Sequence, residues 1–290
     1  MPRRLVTLAA SIALAACAVS PVSAAPLPRI VSMNVCTDQV LLTLADPEQI
    51  LGLSRFSRDA WVTGDVRRFP TLSGGAEDVL VLKPDVVVAS VFDKRATREL
   101  LKANGLRLAE LSVPRNLTEV KDQLRQLGDI AGHPDRAAQQ IAKLDAALAR
   151  ARRAVADKHY RVLPLSRRGW VAGSDSFVGS LLAETGLFNT AGELGFDFGG
   201  FASLEAIVSE RPDLLLVSQA GDFARDDGQA FLLHPALERF YPTEKRIVIP
   251  ERLTECGGVM LAEALDVLVA ELQRVGTFVV PANAGTHNHR

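Results

Sequence analysis

The chain has 290 residues and a net charge of −1, with 48% hydrophobic and 23% charged residues. That balance belongs to a soluble globular protein of one large or two ordinary domains, and it excludes collagen-like, disordered and coiled-coil chains. Neither sign of charge dominates, which argues against nucleic acid as a partner held by phosphate neutralisation.

Met1-Pro-Arg-Arg4 is a short positive segment, followed by an uncharged apolar run from Leu5 to Ala16. Twelve residues are too few to span a bilayer, which takes about 20. Pro21 breaks the run, and Val22-Ser-Ala24 places small residues at −3 and −1 of a cleavage site. Residues 1–24 therefore read as a Sec signal peptide, with an exported mature chain of net charge −3. Leu14-Ala-Ala-Cys17 also fits a lipobox, so a lipid anchor at Cys17 stays open.

Strand and helix then alternate along the mature chain. Arg29–Ser32 reads as a strand, Thr37–Ala45 as a helix capped by Thr37 or Asp38, and Ile50–Leu53 as a strand. Asp78–Leu82 is a short helix. Val86–Ser90 is a β-branched run of the kind buried in parallel sheets. Ala96–Ala103 is helical and stops at Asn104-Gly105, and Arg107–Leu111 is a strand. Thr118–Ile130 is a helix ended by Gly132, and Pro134 restarts one at a favoured first position. From Asp135 to Asp157 apolar residues recur at helical spacing with no Gly or Pro, a helix roughly 35 Å long. Arg161–Ser166 and Gly169–Ala172 read as strands, Ser176–Glu184 as a helix, Leu214–Ser218 and Arg246–Ile249 as strands, and Leu261–Val275 as a closing amphipathic helix. Gly276–Arg290 has no periodicity and reads as a disordered tail, with His287 and His289 incidental.

An internal repeat organises these elements. Glu77-Asp-Val-Leu-Val-Leu-Lys-Pro-Asp-Val-Val-Val-Ala-Ser90 aligns without gaps on Glu205-Ala-Ile-Val-Ser-Glu-Arg-Pro-Asp-Leu-Leu-Leu-Val-Ser218, at the constant offset of 128 that separates Glu77 from Glu205. In each copy a short helix ends on a basic residue, Pro-Asp makes the turn, and an apolar strand ends on Ser. The expected fold is α/β, with two Rossmann-like lobes of parallel central sheets joined by a single long backbone helix. The expected boundaries are 25–117 for the first lobe, 118–158 for the helical linker, 159–275 for the second lobe and 276–290 for the tail. Loops at the strand ends are expected to line a cleft, as in open α/β sheets: 32–38, 55–61, 90–93 and 112–115 from the first lobe, and 170–177, 196–201, 218–223 and 254–258 from the second. Both tryptophans, Trp61 and Trp170, fall in such loops, which favours a flat, large, partly apolar ligand.

An exported chain with paired Glu…Pro-Asp repeats around one long helix resembles the helical-backbone periplasmic binding proteins of ABC importers for vitamin B12, ferric siderophores and heme. The resemblance covers roughly Arg29 to Val275. Ser32-Met-Asn-Val-Cys-Thr-Asp-Gln39 and Glu255-Cys-Gly-Gly258 are similar to the corrinoid-uptake branch. It implies a monomeric receptor with no catalytic residues and no resident cofactor, carrying cobalamin or a ferric siderophore. The implied ligand-binding residues are Asn34, Cys36, Trp61, Phe92, Trp170, Phe201, Glu255 and Cys256. Glu77 and Glu205 match the family's pair of docking glutamates, one per lobe, which meet arginines on the permease dimer; the alternative is that both only favour a helix N-terminus.

Cys36 and Cys256 admit three states: free thiols lining the cleft, a disulfide bridging the lobes, or a thiolate ligating the metal of a chelate. His133, His159 and His234 are scattered and form no metal set. Gly173-Ser-Asp-Ser176 offers hydroxyls at a helix start, where capping is the expected role. Tyr160 and Tyr241 lie outside the cleft loops, which weakens heme ligation. The alternative from another class is an exported hydrolase with Cys256 as nucleophile beside Gly257-Gly258. A third reading is a signalling or assembly module that kept the fold and lost the ligand.

Overall fold

A computed structural model of the chain describes residues 26–59, 62, 64–218 and 230–276. The proposed signal peptide with Cys17, the tail from residue 277 with His287 and His289, and Trp61 lie outside the described residues.

The first lobe is a four-stranded parallel sheet, β1 (Ile30–Ser32), β2 (Ile50–Gly52), β3 (Val86–Ser90) and β4 (Leu108–Leu111), in the order β2-β1-β3-β4. Helices α1 (Val35–Leu44), α2 (Ala76–Leu82) and α3 (Arg95–Ala103) connect the strands. The second lobe repeats the plan with β5 (Arg161–Pro164), β7 (Phe188–Asn189), β9 (Leu214–Val217) and β10 (Arg246–Val248), in the order β10-β9-β5-β7 and again all parallel. Taken in chain order, both sheets run second, first, third, fourth. The repeated Pro-Asp strand is the third strand of each, as duplication of one α/β unit requires. Helices α6 (Phe177–Thr185), α7 (Leu204–Glu210) and α8 (Pro235–Phe240) serve the second lobe. A small antiparallel pair, β6 (Trp170–Ala172) with β8 (Gly199–Phe201), stands apart from the parallel sheet.

The repeat also extends to backbone detail. The residue after α2, Lys83, and the residue after α7, Arg211, both adopt left-handed geometry, with φ of 49° and 54°. Each then turns through Pro-Asp into its strand. Asp85 accepts the backbone N–H of Arg29 at 2.7 Å, and Asp213 accepts that of Arg161 at 2.9 Å. The turn carboxylate thus satisfies the donor that opens the neighbouring strand, once in each lobe.

Between the lobes lie α4 (Leu117–Ala131) and α5 (Pro134–Val155). The 22 residues of α5 give a length of roughly 33 Å. Gly132 ends α4 in left-handed geometry, and a Cβ on Gly128 would lie 2.5 Å from the Ala137 Cβ, so glycine permits the two helices to cross closely. The last helix, α9 (Leu261–Gly276), packs along α5. The lobes are not separate cores. One buried cluster runs from Ile30 and Leu41 through Leu124, Leu144 and Ala151 to Val162, Ile247 and Leu268. Each lobe adds a smaller cluster on its outer sheet face.

Sequence expectations and structure differ in a few places. The cap of α1 is Asn34, whose side-chain oxygen accepts from Cys36 N at 2.8 Å, not Thr37 or Asp38. Those two are drawn into the interior, where Thr37 meets Ser32 and Asp38 meets Ser54. Gly169–Ala172 joins no parallel sheet; its strand pairs with Gly199–Phe201, a segment too glycine-rich to show a strand pattern.

Candidate functional site

Connectivity fixes which edge of each sheet carries the loops of interest. The short turn after α2 leads into β3, and the turn after α7 leads into β9. Each helix therefore runs from the carboxyl edge of its sheet back to the amino edge, and its N-terminus lies on the carboxyl side. Asn34, Cys36, Ser90 and Phe92 follow the first-lobe strands at this edge. Glu255 and Cys256 follow β10 at the matching edge of the second lobe.

These residues meet. Cys36 and Cys256 form a disulfide, with their Cα atoms 5.2 Å apart, inside the range such bonds span. Of the three states open to the sequence, the structure realises the lobe-bridging bond. Neither sulfur is then a free thiol or a thiolate ligand. A bonded sulfur also withdraws the nucleophile that a Cys256 hydrolase needs.

A cavity of about 130 Å³ opens at this junction. Asn34, Cys36, Phe92, Glu255 and Cys256 line it, together with Ser90 and Pro114, which fall in loops expected to face the cleft, and Gln123 of α4, which carries no sequence signal for this place. Small-molecule sites usually enclose about 300–1,000 Å³, so this is the floor of a site and not an enclosed pocket for a large ligand.

Glu255 is the one charged residue in that lining among the described residues. Burial pushes its carboxyl up, and the neighbouring Glu251 and Asp59 push it further. Asp93 lies beside the same edge, accepting from Ser90 N at 2.7 Å, and burial raises it too. Beneath them Asp38 is fully buried and accepts both the N–H and the hydroxyl of Ser54, at 3.0 and 2.6 Å. Burial pushes Asp38 up to about 6, against the pull of those hydrogen bonds. It ties α1 to the end of β2 and so fixes the segment that carries Asn34 and Cys36.

The aromatics form two groups. Phe92, 77% exposed, stands at the first-lobe edge of the cavity. Trp170 and Phe201 belong to the β6–β8 pair and pack edge to face, with centroids 5.1 Å apart. Gly199, at φ +151°, makes room for this, since a Cβ there would lie 2.8 Å from the Trp170 ring. Phe198, 72% exposed just before β8, falls in the 196–201 loop expected to line the cleft. Trp170 and Phe201 do not line the cavity itself. Trp170 follows β5 and Phe201 follows β7, at the carboxyl edge of the second lobe.

Neither tyrosine belongs to the site. Tyr160 and Tyr241 are buried, and burial pushes the Tyr241 hydroxyl up to about 12. His234 caps α8 through Nδ1, and His133 lies beside Asp46 at the start of α5. Among the described residues no group of His, Cys, Asp and Glu is placed to hold a metal ion. Ser176 caps α6 by accepting from Gly179 N, the role expected for that hydroxyl. Glu77 and Glu205 are both exposed, in the first turns of α2 and α7, on the carboxyl side of their lobes.

A family profile described as periplasmic binding protein matches residues 30–251. No curated protein matches the sequence significantly. Solved structures do. The chain is 24% identical to the periplasmic heme-binding protein RhuT from Roseiflexus sp. RS-1, with a TM-score of 0.67 over 86% of this chain and 100% of that one. An ABC-type Fe3+-hydroxamate transport system from Saccharomonospora viridis matches at 19% identity, TM-score 0.63, over 85% and 93%. The periplasmic vitamin B12 binding protein BtuF of Vibrio cholerae matches at 14% identity, TM-score 0.63, over 87% and 98%.

Proposed function

The chain belongs to the periplasmic binding protein family, and from that premise we propose that it binds a metal chelate between its lobes and delivers it to an ABC importer. A corrinoid is the favoured cargo. Glu255 carries this preference, as the one charged group in the cavity lining among the described residues. A wall whose only charge is a carboxylate repels the two propionates of heme and the anionic catecholate siderophores. It suits a neutral or cationic ligand rich in amide N–H donors, which is the periphery of a corrinoid. An uncharged ferric hydroxamate meets the same condition and is the second choice.

Coordination chemistry agrees. Heme iron held by a protein takes an axial His, Cys, Met or Tyr. The cavity lining holds no His, Tyr or Met, and its two cysteines are bonded to each other. A chelate that arrives with its metal already satisfied needs only shape and hydrogen bonds. Phe92 from the first lobe and Trp170 and Phe201 from the second supply apolar faces, Asn34 an amide and Glu255 an acceptor. Trp61 remains a proposed member of this set. Glu77 and Glu205 flank the cleft, one per lobe, and would meet cationic residues on the two permease subunits. Residues 1–24 would direct export.

A titration of the mature protein with cyanocobalamin, ferric desferrioxamine and haemin, followed by tryptophan fluorescence, tests this reading. Quenching at one equivalent is expected with cyanocobalamin and weak or absent quenching with haemin. Tight heme binding with no response to cyanocobalamin would reverse the assignment. Turnover of ester or amide probes would instead favour an enzyme.

A further inference from the structure

The disulfide that forms part of the cavity wall is also a covalent link between lobes. Cys36 is the second residue of α1 in the first lobe; Cys256 sits in the loop between β10 and α9 of the second. Apart from the chain itself, no other covalent bond joins the lobes among the described residues.

Leu253 roots the loop in the core shared by the lobes; beyond it the loop has little else to hold it there. Its hydrogen bonds are its own: Leu253 N to Pro250 O, and Thr254 N and Glu255 N to Glu251 O. Arg252 pairs with Glu263 of α9. Among the described residues, 250–258 make no hydrogen bond to the first lobe. What remains is contact. A Cβ on Gly257 would come within 2.6 Å of Pro114 Cγ and 3.2 Å of a Val120 methyl, and one on Gly258 within 3.4 Å of a Val40 methyl. Backbone without side chains lies flat on the first lobe, and the sulfur bridge presses it there.

We propose that the Cys36–Cys256 disulfide is a reducible clamp on the cleft, which holds the 250–258 loop against α1 when oxidised and lets it swing away when a dithiol reduces it. The placement of the two sulfurs gives the route. Cys256 is 5% exposed, whereas Cys36 is only partly buried and faces the cavity. A thiolate of the dithiol attacks Cys36 Sγ, the bond between the cysteines breaks, and the electron pair leaves on Cys256 Sγ, which takes up a proton. The second thiolate of the reductant then attacks its own sulfur in the mixed disulfide and releases Cys36 as a thiolate at the N-terminus of α1, where the helix favours negative charge. Two electrons pass from the dithiol to the receptor, and the dithiol leaves as a disulfide. With the bridge gone, the paired glycines give the loop its freedom and the cavity loses one wall.

The role of this opening in cargo release rests on the binding reading given above; the clamp itself does not, and its test uses no cargo. Hydrogen–deuterium exchange on the full chain is compared before and after treatment with dithiothreitol, and in Cys36→Ser/Cys256→Ser. Amides of 250–258 and of the first turn of α1 are expected to exchange about tenfold faster or more in the reduced protein and in the variant, with the sheets still protected. Unchanged exchange in this loop overturns the clamp. Loss of protection throughout, with loss of far-ultraviolet dichroism, overturns it too, since the bond is then a staple of the whole fold. If the loop is released but no chelate binds either form, the clamp stands and the cargo reading fails.

Discussion

Cys36 and Cys256 are 220 positions apart in the chain, yet their Cα atoms lie 5.2 Å from each other. One follows the first strand of the first sheet and the other follows the last strand of the second. The bond between them therefore establishes that the carboxyl edges of both sheets open on one space. Everything proposed about binding depends on that arrangement: Asn34, Phe92 and Ser90 reach the space from one side, and Glu255 from the other.

The same bond has a measurable weight in stability. A disulfide that closes a loop of this length typically contributes about 2–4 kcal/mol, mostly by restricting the unfolded chain. Cys36→Ser/Cys256→Ser is expected to lose that amount in urea denaturation while remaining folded, because a continuous core still joins the lobes. For a chain this size the loss lowers Tm by roughly 4–16 °C. An unchanged midpoint would mean that the bridge closes nothing the fold does not already close.

Asp38 gives the stability a pH dependence of definite sign. Its native carboxyl titrates at about 6, above the unfolded value of about 3.9. Between those pH values the native state holds more protons at this site than the unfolded one, so the contribution of Asp38 is full at about pH 4 and below and is lost as pH rises through about 6. The full effect is on the order of 3 kcal/mol. Glu255 and Asp93 are raised as well and add to the slope with the same sign. Asp38→Asn, which keeps the shape and one acceptor for Ser54, is expected to flatten most of the slope in denaturation curves taken from pH 4 to 8. An identical slope in the variant would remove Asp38 from the account.

Glu77 and Glu205 are exposed, so their replacement separates docking from folding. Glu77→Arg/Glu205→Arg is expected to bind cargo with unaltered affinity and to lose stimulation of the importer's ATPase by tenfold or more, as charge reversal at a steering contact does. Each replacement also removes a carboxylate from a helix N-terminus, where negative charge is favoured. Full stimulation by the double variant would leave both residues with a helix-terminal role only.

Much of this was legible before any coordinates. The repeat from Glu77 and Glu205 predicted two lobes and the position of β3 and β9, because Pro-Asp turns and β-branched runs are local signals. The left-handed geometry of Lys83 and Arg211 is not legible in it: the repeat gives a basic residue at each helix end, and the turn itself is seen only in the fold. What stayed hidden was set by distance in the chain. No local pattern says that Cys36 and Cys256 meet, that Asp38 turns inward to Ser54, or that Gln123 borders the same cavity. β6 is legible in Gly169–Ala172, but its partner β8 is not: Gly199 and Gly200 have no side chain to alternate, and Trp170 and Phe196 pack there against bare backbone.

The central claim is that a neutral or cationic chelate enters between the lobes against Glu255. Isothermal titration of the mature, oxidised protein with cyanocobalamin, beside its Glu255→Lys variant, tests it most directly. The account predicts one site per chain in the native protein and at least tenfold weaker binding in the variant, where an amide-rich ligand meets an ammonium in place of its acceptor. Absence of heat with cyanocobalamin, or equal affinity in the variant, would contradict it.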